Sequence, residues 1–255
     1  MSYFENMNYK VILENLRLYS KWGHNWYKKT EYVDEVNQAI DEFLSIRVDG
    51  IIYVAGHARI IDCINEKLNI PLVISYSFSA NSKYKSITID DKTSSKIMTN
   101  YLISLNHTKI AVIKGTENNF HTIYRLQGFM ESLNDSNIIP NEKIIVNGEW
   151  NRESGYKSCK KLFATGESFS AIFCFNDLMA AGVYDYLHEI NKDPKKDIFV
   201  CGFDNNLISD FLNPLLTTMK IPLEEIGQKS AEILYKQLCN EETTNCTLPC
   251  ILLKR

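Results

Sequence analysis

The chain has 255 residues, 45% of them apolar and 23% charged, with a formal net charge of −3. These are the proportions of an ordinary globular protein, long enough for one or two domains and for a core that needs no disulfide or metal staple. The acidic balance argues against a chain that holds nucleic acid by wholesale phosphate neutralisation, which needs a basic surplus or a basic face. No apolar run approaches the roughly 20 residues of a membrane helix, and the opening MSYFENMNYK lacks the charged-then-apolar layout of a secretory signal.

In chain order, YKVIL (9–13) is the first run of strand length and composition. EYVDEVNQAIDEFLSI (31–46) follows as an amphipathic helix, with Val33, Val36, Ile40, Phe43 and Leu44 on one stripe. DGIIYVA (49–55), PLVISY (71–76) and SITID (86–90) are strand-like, and TSSKIMTNYLISL (93–105) is a helix that Asp90 or Asp91 can cap. The runs KIAVIKG (109–115) and KIIVNG (143–148) precede the helical RESGYKSCKKLFATG (152–166), whose final glycine suits a helix C-terminus. AIFCF (171–175) leads into a helix opening at Asn176, and DIFVCGF (197–203) is the last strong run. Pro222 opens PLEEIGQKSAEILYKQL with Glu224 and Glu225 in its first turn and Lys236 in its last, as a helix dipole favours.

Most of these runs are rich in Val and Ile with little alternation, which suits strands covered on both faces. Strand–helix alternation repeated this often means parallel βαβ units in an α/β protein, arranged as a barrel or as two doubly wound sheets. In an open sheet, ligands bind beyond the carboxyl ends of the strands, so functional residues are sought just after each run. Seven cysteines, an odd count with no CxxC pair, are expected to be reduced and mostly buried, with a bridge between Cys246 and Cys250 left open. The five histidines lack metal-ligand spacing, and no GxSxG elbow, P-loop or GxGxxG fingerprint occurs, so no catalytic residue, metal or cofactor is expected.

Taken together, RVDGIIYVAG (47–56), IPLVISY (70–76), SITIDDKTSSKIMTNYLISLNHTKIAVIKG (86–115), YRLQGFMESL (124–133), SGYKSCKKLF (154–163), FSAIFCFNDLMAAGVYDYL (169–187) and DIFVCGFDNN…PLLTTMKIPLEEIGQKSAEIL (197–234) resemble the effector-binding core of LacI/GalR-family bacterial transcription regulators. The resemblance implies a type I periplasmic-binding-protein-like fold: two doubly wound parallel-sheet subdomains joined by three crossovers, with ligand in the cleft between them. One subdomain would hold residues 1–107 and 220–240, the other 108–219 and 241–255. It further implies a cytoplasmic homodimer that senses a sugar-like or nucleobase-like effector, and DNA contact only through a headpiece not visible in this chain. A free solute-binding protein for sugar uptake is the alternative with the same fold.

The resemblance assigns ligand-binding roles by position. Arg125 in RLQGF matches the family arginine that binds ligand hydroxyls or a carboxylate, and Asp204 after DIFVCGF matches the aspartate that accepts from hydroxyls. Asn176 and Asp177 match an Asn-Asp pair, one member facing ligand, and Trp150 matches an aromatic that stacks on the ligand's apolar face. Asn119 and His121 precede Arg125 closely enough to reach the ligand, and Tyr76 belongs to the other wall.

Two departures stand out. The family core opens with a strand, a loop and a helix ahead of the position YKVILEN occupies, so the chain is truncated or divergent there, or 9–15 is itself the opening strand. Either way, Tyr3, Phe4, Trp22 and Trp26 are candidates for the first wall. Ile221 stands where many sugar-responsive members carry glutamine, which makes the pocket more apolar or smaller.

Overall fold

The computed structural model describes residues 2–56, 58–65 and 68–255; His57 therefore lies outside the described residues. The chain order is α1 (Ser2–Glu5), α2 (Leu18–Trp22), a 3-10 turn (Gly23–Lys28), α3 (Glu31–Ser45), β1 (Ile51–Val54), β2 (Ile60–Ile61), β3 (Leu72–Ser75), β4 (Phe78–Ser79), β5 (Lys85–Ile89) and α4 (Asp91–Ser104). There follow β6 (Ile110–Lys114), α5 (Phe120–Asp135), β7 (Ile145–Asn147), α6 (Arg152–Ala164), β8 (Ala171–Cys174), α7 (Asp177–Glu189), β9 (Phe199–Cys201), β10 (Thr218–Lys220), α8 (Leu223–Leu238), β11 (Cys246–Leu248) and β12 (Ile251–Leu253).

Two compact units result. The first comprises Met1–Thr88 and Leu223–Thr247, the second Ile89–Pro222 and Leu248–Arg255, so the chain passes between them three times. The first boundary falls at 88/89 rather than at 107. The reason is α4, whose Ser95 hydroxyl donates to the Arg125 carbonyl of α5 at 2.6 Å and so keeps 89–107 with the second unit. Residues 241–247 stay with the first unit, where Asn245 accepts from the Ser86 amide and Thr247 bonds Thr88.

The first unit is built on a sheet of order β1-β3-β5-β11, in which β1-β3 and β3-β5 run parallel. Leu72 and Ile74 of β3 join the core formed with Val36 and Ile40 of α3. Ser75 points the other way and bonds Ser230 of α8, as the two-residue strand period requires. Residues 9–13, expected as a strand, are not one: β1 is the sheet's edge strand, and without a ladder partner Val11, Ile12 and Leu13 lie exposed in an irregular segment. Trp26 is a core residue, buried edge-on against Tyr32 with the Arg59 guanidinium 4.5 Å from its ring, so it forms no open wall. Tyr3 and Phe4 pack on each other, and Phe4 on Tyr9.

The second unit carries the all-parallel sheet β7-β6-β8-β9. Residues 110–113 and 171–174 are buried without alternation, as expected of strands covered on both faces. Helices α6 and α7 lie unusually close. A Cβ on Gly182 would come within 1.9 Å of the Arg152 carbonyl, and one on Gly155 within 2.1 Å of the Met179 carbonyl, so each helix needs its glycine. Capping follows the sequence: Asp90 accepts from Thr93 N, Asn151 from Ser154 N and Asn176 from Met179 N. All seven cysteines are free, Cys246 and Cys250 included.

Candidate functional site

At the carboxyl ends of β6, β8 and β9 the second unit gathers a charged cluster, as an open α/β sheet does at its ligand end. Its centre is Arg125, one turn into α5 and only 1% exposed. The Nε of Arg125 donates to Asp91 Oδ1 at 2.7 Å, its Nη1 donates to the Phe175 carbonyl at the end of β8, and Nη1 lies 3.6 Å from Asp204 Oδ1. Below the guanidinium, the Phe203 ring centroid is 3.5 Å from its Cζ, a stacked cation–π contact. His121, one helical turn before Arg125, donates from Nδ1 to Asp91 Oδ2 at 2.7 Å. Asp91 thus bridges two cationic or potentially cationic groups.

The expected site residues divide into two sets. Asp204 has 31% of its side chain open to solvent and faces Arg125. Trp150 is half-buried at the mouth of the same cluster, its ring centroid 5.9 Å from Arg125 Cζ, and its Nε1 donates to Thr116 Oγ1 at 3.2 Å. Gly115 permits this placement: a Cβ there would sit 1.9 Å from the indole. Asn119 is half-buried and caps α5 by accepting from the His121 amide at 2.8 Å.

Asn176, Asp177 and His121 are engaged within the protein. The Asn176 amide donates to the Trp150 carbonyl at 3.0 Å while its oxygen caps α7, so both ends of the side chain are engaged within the protein. Asp177 is fully buried and accepts from Thr218 Oγ1 at 2.6 Å and from the Asn206 amide at 2.7 Å. His121 is buried on Asp91. Tyr76 follows β3 in the first unit, with φ 62°. Ile221 is buried, and its amide donates to the Asp204 carbonyl at 3.3 Å.

The electrostatics follow from burial. Burial raises the Asp91 carboxyl, yet the His121 and Arg125 charges outweigh it and hold Asp91 below the ordinary range. Desolvation lifts Asp204 to about 7, with Arg125 opposing and Asp91 reinforcing the shift. Desolvation and then the Asp204 charge lift Asp177 to about 8, against the bonds from Thr218 and Asn206. Arg125 is therefore already paired within the protein, and Asp204, lifted toward neutrality, is the acidic group of the cluster that reaches solvent.

Sequence reasoning missed Asp91, Phe203 and the Phe175 carbonyl. Asp91 was visible only as a helix-capping candidate in the doublet after SITI; the cap is Asp90, which leaves Asp91 to turn inward. Among the described residues no group of three or more His, Cys, Asp or Glu can hold a metal ion, and no helix is long and apolar enough to cross a membrane.

Parallel sheets in two units joined by three crossovers, with a polar cluster at strand ends, define the periplasmic-binding-protein-like class. Residues 26–255 match the family described as periplasmic binding proteins and sugar binding domain of LacI family, and the chain belongs to that family. It is 27% identical over 243 residues to the HTH-type transcriptional repressor PurR of Vibrio vulnificus, a match covering 94% of this chain and 69% of PurR. With the HTH-type transcriptional repressor CytR of Escherichia coli it shares 28% over 200 residues, 78% of this chain and 59% of CytR. The crystal structure of the Escherichia coli transcriptional repressor ascG superposes with a TM-score of 0.75 at 30% identity, covering 88% of this chain and 83% of that one.

Proposed function

We propose that this chain is the small-molecule-sensing part of a LacI-type transcription regulator, and that its effector is a neutral, hydroxyl-bearing ring such as a sugar or nucleoside. The observation that carries the effector class is the Asp204–Trp150 pair beside an Arg125 whose charge Asp91 already offsets. A carboxylate with solvent access accepts from ring hydroxyls and an indole face covers the ring, while an Arg125 already paired with Asp91 offers a phosphate or acid no spare charge. That PurR, CytR and ascG are transcriptional repressors supports a regulator over a free solute-binding protein and gives no support to an enzyme. Regulation would follow by linkage: an effector that prefers one conformational state alters DNA affinity, and DNA alters effector affinity equally. A homodimer carrying DNA-reading headpieces is part of the proposal.

Thermal shift of the full chain against neutral sugars, nucleosides and their phosphates tests it, because a specific binder raises the melting temperature by mass action. Neutral compounds should stabilise and their phosphates should not, and Asp204→Asn should abolish the shift. Stabilisation by phosphates alone refutes the effector class.

A further inference from the structure

The loop that carries Asp204 is held in an uncommon backbone conformation. Asp204 has φ 109° and Asn205 φ 55°, two consecutive residues outside the regions that L-residues favour. Such geometry persists only where surrounding contacts over-determine it. From the sheet side the loop is pinned by Asp204 N donating to the Met219 carbonyl at 2.8 Å and by Asn206 N on Asp177.

From the other side Arg255 holds it. Arg255 follows β12, which pairs antiparallel with β10, and its main chain is locked to Thr217 in both directions, N to Oγ1 at 3.1 Å and Oγ1 to O at 3.2 Å. From that fixed base the guanidinium reaches back across the loop. Its Nη2 donates to Asn205 Oδ1 at 3.0 Å and to Asp210 Oδ1 at 2.7 Å, and its Nη1 donates to Ser209 Oγ at 3.0 Å. Ser209 is wholly buried and the Arg255 side chain is 18% exposed, so this fork spans the loop from its second residue to its far end in a mostly enclosed setting.

We propose that Arg255 is a positioning residue for ligand recognition: its forked contacts lock the 205–210 loop and thereby fix the aim of the Asp204 carboxylate, although Arg255 itself touches no ligand. The ligand half of this proposal rests on the reading of Asp204 as the hydroxyl acceptor. A planar guanidinium serves three acceptors at set angles, which an ammonium at the same place cannot do. Without it, Asn205 is held by its amide's 3.3 Å bond to Thr218 Oγ1 and a 3.5 Å contact from Ser209 Oγ, a weaker grip that lets Asp204 turn away from Arg125.

The test is amide hydrogen exchange of the full chain, comparing wild type, Arg255→Ala and Arg152→Ala. Arg152 makes a two-pronged pair with Asp185 in the same unit, far from the loop in sequence, and controls for loss of an Arg–Asp pair as such. Arg255→Ala should speed exchange of amides 205–211 about tenfold, the effect of one lost charge-assisted hydrogen bond, while Arg152→Ala leaves them unchanged. Titration with D-ribose, D-galactose and cytidine should show Arg255→Ala weakening the bound probe by a similar factor, with Arg255→Lys failing to restore it. Unchanged loop exchange overturns the proposal, as does acceleration spread over the whole unit, which marks a merely structural role. A loosened loop with unaltered probe affinity also overturns it. If no probe binds the wild type, the reading of Asp204 falls while the exchange result still decides the clamp. Should Arg255→Ala fail to fold, Asn205→Ala and Asp210→Asn remove its acceptors singly and must reproduce the loop effect.

Discussion

Replacing Asp91 by alanine removes the counter-charge of Arg125, the most buried cation among the described residues. Arg125 is 1% exposed and the Asp91 side chain 4%, so neither charge is screened by water, and both Asp91 oxygens are engaged at 2.7 Å. Breaking a buried pair by deleting one partner costs about 3–5 kcal/mol, because a desolvated charge is left behind. Here Asp204 at 3.6 Å and the Phe175 carbonyl remain as partial partners. The cost should therefore fall at the lower end, about 3 kcal/mol, or roughly 10 °C in melting temperature for a domain of this size. Urea unfolding followed by far-UV circular dichroism reads it. The double variant Asp91→Ala/Arg125→Met should be more stable than Asp91→Ala alone, since it removes the orphaned charge as well, a coupling a double-mutant cycle isolates. A loss below about 1 kcal/mol for Asp91→Ala, or a double variant no better than the single one, refutes the account of Asp91 as the structural partner of Arg125.

Three further outcomes follow from the same geometry. Gly182→Ala should destabilise by about 3 kcal/mol or block folding, since its Cβ meets the Arg152 carbonyl at 1.9 Å and helix backbone cannot yield as a side chain can; thermal melts check this, and a neutral result refutes the close approach of α6 and α7. Asp177 and Asp204 titrate near 8 and 7, above the ordinary aspartate value, so between about pH 4 and 8 the native state holds protons that the unfolded chain has released. Their linkage makes stability fall as pH rises through that window. Asp91, held low, contributes stability that is present above its ordinary range and lost only as pH falls through its depressed value. Urea midpoints at pH 5, 7 and 9 should show the decline, and an identical profile for Asp177→Asn contradicts its origin. Trp150→Ala should weaken a ring-shaped effector about tenfold, the worth of a lost aromatic platform, while Trp150→Phe retains much of the affinity in isothermal titration; equal affinities for wild type and Trp150→Ala exclude the indole from the site.

Local signals carried much of the fold. The unalternating runs around 110–114 and 171–174 suited doubly covered strands and are strands, and Asp90, Asn151 and Asn176 each cap the helix they precede. YKVIL misled for an equally physical reason. Composition favours a strand, but a strand exists only with a partner for its backbone, and none of the described strands pairs with 9–13.

For the site, the family resemblance pointed to Arg125, Asp204 and Trp150, and the second unit brings the three side chains near one another. The resemblance did not reveal what each side chain touches. That Asp91 consumes the charge of Arg125, that Asp177 lies buried beneath the loop while Asp204 reaches solvent, and that Arg255 grips a loop some fifty residues earlier all depend on contacts between segments distant in sequence. Composition, periodicity and capping are local and determined the elements of this chain, while the family was legible in the resemblance of its ordered segments. Charge pairing and burial are non-local, and only the packed structure decided which of two adjacent acids, Asp90 or Asp91, and which of two strand-end acids, Asp177 or Asp204, faces inward or outward.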